Sequence, residues 1–480
     1  MTERIFDQAD QIAFATLSGD HNPLHVDPLI ARRLIFGRQV VHGIHMVLWA
    51  LDCWCRERSG RVMLTSVRVD FQRPIGLGEP LRYMAGSETA DQAPITLGVD
   101  ERPAVRLAFS FAVGSNARYA ALPHESPAGN ACREWLAAAI PTAEGSLPLT
   151  LDLPAAERLF PSAMRVLPIH QIATLLVTTR LVGAECPGLH SLYSHLTLRF
   201  AQGPEDSAAP PRLNYAVEAF DARFNSVTLK VQAPTASGCI RAFLRPPPAC
   251  QPAYAEARAM VEASAFAGRR ALVVGGSRGL GEVAAKLLAA GGAEVKITYR
   301  SGAADADRVV EEITTGGGTA FAMSLDVLAA EPIWSPVELE GWRPSHLYYF
   351  ATPAITAGER HSFSPGRFAL FSRYYLAGFA ALVAELRRLG LDYAFYPSSV
   401  FAEEPPSTML EYAAAKSAGE ALCDFLERAH PGLVIDRPRL PRLATDQTAA
   451  LVPLDSEAVL PIMRQALSGA DRRRDSARGC

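Results

Sequence analysis

Pro246-Pro247-Pro248 divides the 480-residue chain into two unlike parts. Proline lacks an amide donor and fixes φ, so three in succession end any helix or central strand. Ahead of the break, Leu192 to Phe200, Leu213 to Phe220, Ser226 to Gln232 and Gly238 to Phe243 read as strands, and Val105 to Phe111 alternates with period two. Behind it, a helical linker around Tyr254 to Ala265 leads into apolar strands alternating with amphipathic helices, the pattern of βαβ units. The expected fold class is α+β ahead of the break and an α/β doubly wound parallel sheet behind it. Three segments are expected: 1–120, 121–250 and 267–470. The Pro/Gly/Ser-rich residues 115–130 and an Ala-rich stretch around Trp135 read as connector.

Composition narrows the partners. Lys+Arg (47) and Asp+Glu (50) are interspersed, and a net charge of −3 gives no electrostatic case for nucleic acid or an anionic membrane. Apolar runs are short and broken by charge or Pro, so no membrane span is expected. The start, Met1-Thr2-Glu3-Arg4-Ile5-Phe6-Asp7, lacks the basic flank and apolar centre of a signal peptide. The eight cysteines are scattered, and Cys53 and Cys55 have neither zinc nor redox spacing. Reduced thiols, a cytoplasmic location and no metal are expected.

In the first segment, Asp20 and His25 bracket the turn-forming pair Asn22-Pro23, which stops a helix from running through. A carboxylate and an imidazole brought to one point suit moving a proton and activating water. Val41-His42-Gly43-Ile44-His45 opens an apolar helical stretch, and a Gly at a helix start leaves free N–H groups for a thioester oxyanion. The string Ser18-Gly19-Asp20-x-Asn22-Pro23-Leu24-His25-x-Asp27, with Phe36-Gly37 and His42-Gly43, resembles the MaoC-type (R)-specific enoyl-CoA hydratases and dehydratases over about the first 115 residues. The resemblance implies a hot-dog fold, a long helix wrapped by an antiparallel sheet. It implies Asp20 and His25 as the acid/base pair, Asn22 orienting them, and the Gly43 N–H polarising the thioester carbonyl. The middle segment, with its apolar stretch Ile169 to Leu181, resembles a second hot-dog unit lacking the Asp-x4-His string. This implies a double hot-dog whose second half completes the fold and lines the acyl pocket. Cys186 and His190 lie in a turn and are not expected to form a nucleophile pair.

In the third segment the strand Ala271-Leu272-Val273-Val274 runs into Gly275-Gly276-Ser277-Arg278-Gly279-Leu280-Gly281 and a helix through Leu288. Such a turn opening a helix accepts a pyrophosphate. The second strand, Glu294 to Tyr299, ends in Arg300 rather than the acid usual in NAD enzymes. Arg278 and Arg300 together suit a 2′-phosphate, so NADPH is the expected cofactor. Tyr412 and Lys416 share a helical face 13 residues beyond Ser399, and an ammonium beside a phenol is expected to lower its pKa. From about Gly268 to Ala449 the chain resembles the short-chain dehydrogenase/reductases, near the 3-oxoacyl-thioester reductases. Matched positions are Gly275, Gly279, Gly281, Asp326-Val327, Ser399, Tyr412, Lys416 and Thr445. Ser277, Arg278, Leu280, Arg300 and Ala351 complete the implied cofactor contacts. The family's Asn-Asn-Ala-Gly is here Tyr349-Phe350-Ala351-Thr352, its relay Asn is replaced by Tyr375, and its Pro-Gly by Leu440-Pro441.

The function expected is bifunctional: NADPH reduces a 3-oxoacyl thioester, and the hydroxyacyl product loses water to give the trans-2-enoyl thioester. The acyl group rides on coenzyme A or an acyl carrier protein, and a homo-oligomer formed through the reductase domain is expected. Two alternatives stand beside it. One is enoyl-CoA hydration followed by NAD-linked oxidation. The other is a dehydratase carrying a non-catalytic NADP(H)-binding scaffold.

Overall fold

The computed structural model describes residues 2–100, 102–114, 122–127, 129, 131–201, 210–329, 341–358, 360–451 and 457–478, with side chains to 468. It divides into two compact units, Met1–Pro247 with Ala450–Pro453, and Pro248–Ala449 with Leu454–Cys480.

The first unit opens with β1 (Thr2–Ile5) and α1 (Gln8–Ser18). Asp7 and Asp10 form a reciprocal capping box at the start of α1, and Gly19 ends it at φ +77°, a conformation glycine adopts without penalty. The expected turn at Asn22-Pro23 is in fact a helix start. The Asn22 side chain accepts the Leu24 N–H, and Pro23, whose fixed φ suits the first helical position, begins the single turn α2 (Pro23–Val26). After α3 (Pro28–Ala31) comes α4 (Gly43–Cys55), in which every residue but Gly43 is buried. A helix apolar on all sides belongs inside a core. Strands β2 (Val62–Phe71), β3 (Pro80–Ala85), β4 (Gln92–Val99) and β5 (Arg102–Val113) follow.

The Ala-rich stretch read as connector already begins the next half. A 3-10 turn, Ala137–Thr142, leads to β6 (Glu144–Pro148), α5 (Leu153–Leu159), α6 (Pro161–Val166) and α7 (Ile169–Arg180). Then come β7 (Ser191–Phe200), β8 (Arg212–Asp221), β9 (Ser226–Ala233) and β10 (Ala236–Leu244). All ten strands form one antiparallel sheet of order β1-β3-β4-β5-β2-β7-β10-β9-β8-β6. The order is a palindrome about the β2–β7 seam, so the second five strands repeat the path of the first, and α7 occupies the place in its half that α4 holds in the other. The two helices pack together. Gln171 of α7 bridges to β2, accepting from Leu64 N at 2.9 Å and donating to Leu64 O at 2.7 Å where that strand bulges. Asp52 of α4 is buried and accepts from Ser162 N and Ala163 N, capping α6.

The second unit has α8 (Tyr254–Met260) and six parallel strands: β11 (Arg270–Val274), β12 (Glu294–Tyr299), β13 (Thr319–Ser324), β14 (His346–Tyr349), β15 (Tyr393–Phe395) and, after a short β16 (Ser398–Ser399), β17 (Val434–Asp436). Their order, β13-β12-β11-β14-β15-β17, reverses direction between β11 and β14, and ligands of such sheets bind at that switch. Helices α9 (Gly279–Ala290), α10 (Ala303–Thr315), α11 (Pro365–Ser372), α12 (Phe379–Arg388), α13 (Leu410–Ala429) and α14 (Val459–Arg478) accompany them, and β18 (Arg439–Leu440) pairs with β16. One stretch, Pro365–Arg388, is long and apolar enough by length and composition to cross a membrane, contrary to the expectation that none is. Its Phe371, Tyr374, Tyr375, Phe379, Leu382, Val383 and Leu386 are buried in the core of this unit.

Candidate active sites

In the first unit the acid and base come together. One ligand-capable atom from each of Asp20, His25 and His42 lies within 4.8 Å of the others. His25 Nδ1 lies 2.8 Å from the Val40 carbonyl; a donor there leaves Nε2 as the reactive nitrogen. His42 stacks on His25 with centroids 3.9 Å apart. Its ring is anchored at both ends, Nδ1 2.8 Å from Gln11 Oε1 and Nε2 3.0 Å from Asp20 O, so it acts as a brace. Burial pushes the Asp20 carboxyl up from its ordinary range and the His25 imidazole down, and the charge of each partly opposes the shift in the other. The two proton affinities thus approach one another, which eases exchange of a proton between them and a substrate.

Gly43 is the first residue of α4, and its N–H falls in the first turn, where backbone donors have no intrahelical partner. A Cβ at Gly43 would lie 2.7 Å from the Phe71 ring, so the position requires glycine for space. Asn22 does not reach the acid or base through its side chain. Its Nδ2 donates to Gly183 O at 2.9 Å and Leu189 O at 3.1 Å in the second half, while its backbone N–H reaches Asp20 Oδ1 at 3.2 Å. It fixes the loop and orients the pair only indirectly. Cys186 is buried and pushed up to about 12, and His190 bonds Glu134 and Arg245, so the two do not form a nucleophile pair.

In the second unit the Gly-rich turn is closed on itself. Gly275 has φ +78°, and a Cβ on Gly281 would lie 2.2 Å from Gly275 O. That contact is with backbone, which has nowhere to go. Ser277 is buried and Leu280 packs on the core, while Ala351 N borders Gly275. Thr445 sits near Gly279, and Asp326 Oδ1 accepts from Leu328 N at 2.9 Å with Val327 buried beside it. Strand, turn and α9 N-terminus make a cradle that fits the pyrophosphate of a dinucleotide. The two guanidiniums have protein partners: Arg278 lies 3.4 Å from Asp446, and Arg300 Nη1 donates to Tyr374 Oη at 2.6 Å. Gly281→Ala is expected to strain this turn by roughly 1–3 kcal/mol. The corresponding loss of nucleotide affinity, about fivefold or more, is measured by NADPH fluorescence titration.

Tyr412 and Lys416 lie one turn apart on α13, and Ser399 acts on the Tyr412 phenol, opposing the rise that burial causes. Lys416 Nζ donates to Pro397 O at 2.7 Å and stands 4.0 Å from the centre of the Tyr375 ring. Tyr375 lies in a π-helical turn, Arg373–Gly378, and its hydroxyl is 2.6 Å from Thr352 Oγ1. Tyr349 donates to Tyr374 O from the same side at 2.6 Å. The expected lowering of the phenol pKa is reversed. Burial raises Tyr412, with Ser399 opposing, and burial lowers Lys416 to about 7.

Residues 2–92 match the MaoC like domain family and residues 269–337 the short chain dehydrogenase family. An (R)-specific enoyl-CoA hydratase of Aeromonas caviae is 51% identical over 106 residues, covering 21% of this chain and 71% of that protein. The chain belongs to the MaoC-like (R)-specific enoyl-CoA hydratases. Behind that unit it carries a short-chain dehydrogenase/reductase domain. A 3-oxoacyl-[acyl-carrier-protein] reductase of Synechocystis sp. is 40% identical over 70 residues, 15% of this chain and 28% of that protein, so the match spans about a quarter of that relative's length. A solved dehydrogenase/reductase of Sinorhizobium meliloti is 26% identical, with TM-score 0.37, covering 43% of this chain and 90% of that one.

Two contributors to the hydratase unit escaped the sequence reading: Thr179 and Gly183, both in contact range of Asp20 from the far half. The available signal was the polar Thr178-Thr179-Arg180 following the apolar run Leu175-Leu176-Val177.

Proposed function

We propose that this chain reduces a 3-oxoacyl thioester with NADPH in its second unit and dehydrates the resulting 3-hydroxyacyl thioester in its first. The observation that carries the reading is that one chain assembles both acid/base sets: Asp20 with His25, and Ser399 with Tyr412 and Lys416. In the first unit, one member of the Asp20–His25 pair takes the proton from the carbon next to the thioester. The other protonates the C3 hydroxyl, which leaves as water. The Gly43 N–H meets the charge developing on the thioester oxygen. We read the palindromic sheet as two hot-dog units, the second lining the acyl pocket.

In the second unit, the Gly275–Gly281 turn and Asp326 hold the nucleotide, and Tyr412 gives its proton to the carbonyl oxygen. A nicotinamide held there would supply the hydride. Burial raises the Tyr412 phenol, which holds on it the proton that the carbonyl oxygen needs. Arg278 and Arg300 would turn to a 2′-phosphate. Losing such a charge-assisted contact costs roughly 1.5–3 kcal/mol, so Arg300→Ala is expected to weaken NADPH by at least tenfold and leave NADH nearly unchanged. Equal binding of both nucleotides by the unmodified protein, read by calorimetry, would overturn the NADPH assignment.

The acyl carrier is coenzyme A or a carrier protein, and self-association through the reductase unit is part of the same proposal. A cytoplasmic location is part of the same proposal. NADPH consumption with acetoacetyl-CoA and with a 3-oxoacyl carrier protein, with the product weighed by mass spectrometry, tests the whole sequence of steps. One observation favours a second reading, a non-catalytic nucleotide-binding support: the Tyr375 ring stands against Lys416 where the family has an asparagine.

A further inference from the structure

Asp20, in the first half of the hydratase unit, is held by the second half. Thr179 is buried near the end of α7, and its Oγ1 donates to Asp20 Oδ2 at 2.7 Å across 159 residues of sequence. The neighbouring Thr178 instead bonds back to Leu175 O in its own helix, the usual habit of a helical threonine. Immediately beyond Thr179 the helix widens into a π-helical turn, Leu181–Glu185, a distortion frequent at functional sites. That turn brings Gly183 against the carboxylate so closely that a Cβ there would lie 2.1 Å from Asp20 Oδ1. It also aims the Gly183 carbonyl at Asn22 Nδ2. A hydroxyl and a bare Cα therefore hold the acid from one side, while the Gly183 carbonyl anchors the neighbouring Asn22.

We infer that Thr179 is a positioning residue for dehydration, its hydroxyl fixing the Asp20 carboxylate in the orientation that meets substrate. The inference rests on the dehydratase reading and adds a chemical role to the half that carries no acid/base string. The other titratable groups acting on Asp20 are His25, His21, His42 and Cys132. Burial raises the carboxyl, and the Thr179 hydrogen bond is among the contacts that hold it down. Without that donor the carboxylate protonates more readily, so the acidic limb of activity moves to higher pH.

Thr179→Val keeps the shape and removes the donor; Thr179→Ser restores it. The rate of crotonyl-CoA hydration against pH, without nucleotide, is the first measurement. The Val variant is expected to lose about tenfold or more in kcat/KM and to shift its acidic limb upward, with Ser recovering both. A role confined to folding would lower the rate at every pH without moving the limb. An unmoved limb, or a Val rate within twofold of the unmodified protein, overturns the inference. The second measurement is independent of turnover: ¹³C titration of the Asp20 carboxyl, assigned with Asp20→Asn. If the unmodified protein hydrates nothing, the dehydratase reading fails. The ¹³C midpoint still decides the clamp: a higher midpoint in Val supports it, and an equal one overturns it.

Discussion

Asp20→Asn and His25→Ala are each expected to stop hydration of a trans-2-enoyl thioester, and equally the reverse dehydration, while NADPH consumption with a 3-oxoacyl thioester continues. Loss of a positioned acid or base costs roughly 10²–10⁴-fold. Asp20 is buried and His25 half-buried, so bulk water is a poor substitute for either group. The Asn variant keeps the shape of the carboxylate and its place beside Thr179, so the fold is expected to hold. Absorbance of the enoyl thioester reads the first unit and nicotinamide absorbance the second, in the same sample. Dehydration persisting within a few-fold in both variants would remove Asp20 and His25 from the chemistry.

Tyr412→Phe is expected to stop hydride transfer to the ketone, again by roughly 10²–10⁴-fold, with NADPH binding and dehydration intact. The phenol is the proton donor, whereas the nucleotide cradle is formed by Gly275, Gly281 and their neighbours. The same experiment decides between a working reductase and a support. Lys416 is held by the Pro397 carbonyl and the Tyr375 ring face. If the unmodified protein binds NADPH and reduces no 3-oxoacyl thioester on either carrier, the second unit is a nucleotide-binding support, and Tyr412→Phe will change nothing.

What the sequence made legible was local. The string from Ser18 to Asp27 and the turn from Gly275 to Gly281 each carry their chemistry within a few residues. The strand read from Glu294 to Tyr299 has the same bounds in the fold, because buried parallel strands are short apolar runs with clear ends. What stayed hidden depends on distance in sequence or on burial. Thr179 and Gly183 meet Asp20 only because the sheet folds the second half onto the first. The direction of the Tyr412 shift could not be read from a Tyr and a Lys four residues apart. The lysine's charge was visible, but not the surroundings of Tyr375, Tyr396 and Phe371 that desolvate both groups. Arg278 and Arg300 were read as partners for a 2′-phosphate, and their protein partners Asp446 and Tyr374, far along the chain, were not visible.

The palindrome of the ten-stranded sheet has a kinetic consequence. Its two helix starts are unequal: α4 begins at Gly43, whereas α7 begins at Ile169 after Pro168, and α6, its neighbour, is capped by Asp52 from the opposite half. On the proposed dehydratase reading, one acyl group is expected to be processed per chain, not two. Because both faces of the acid's setting belong to one polypeptide, the centre assembles in a unimolecular step, at an effective concentration set by the chain itself. Specific dehydratase activity, if the proposed reading holds, is accordingly expected to be independent of protein concentration, down to dilutions at which any self-association has been lost.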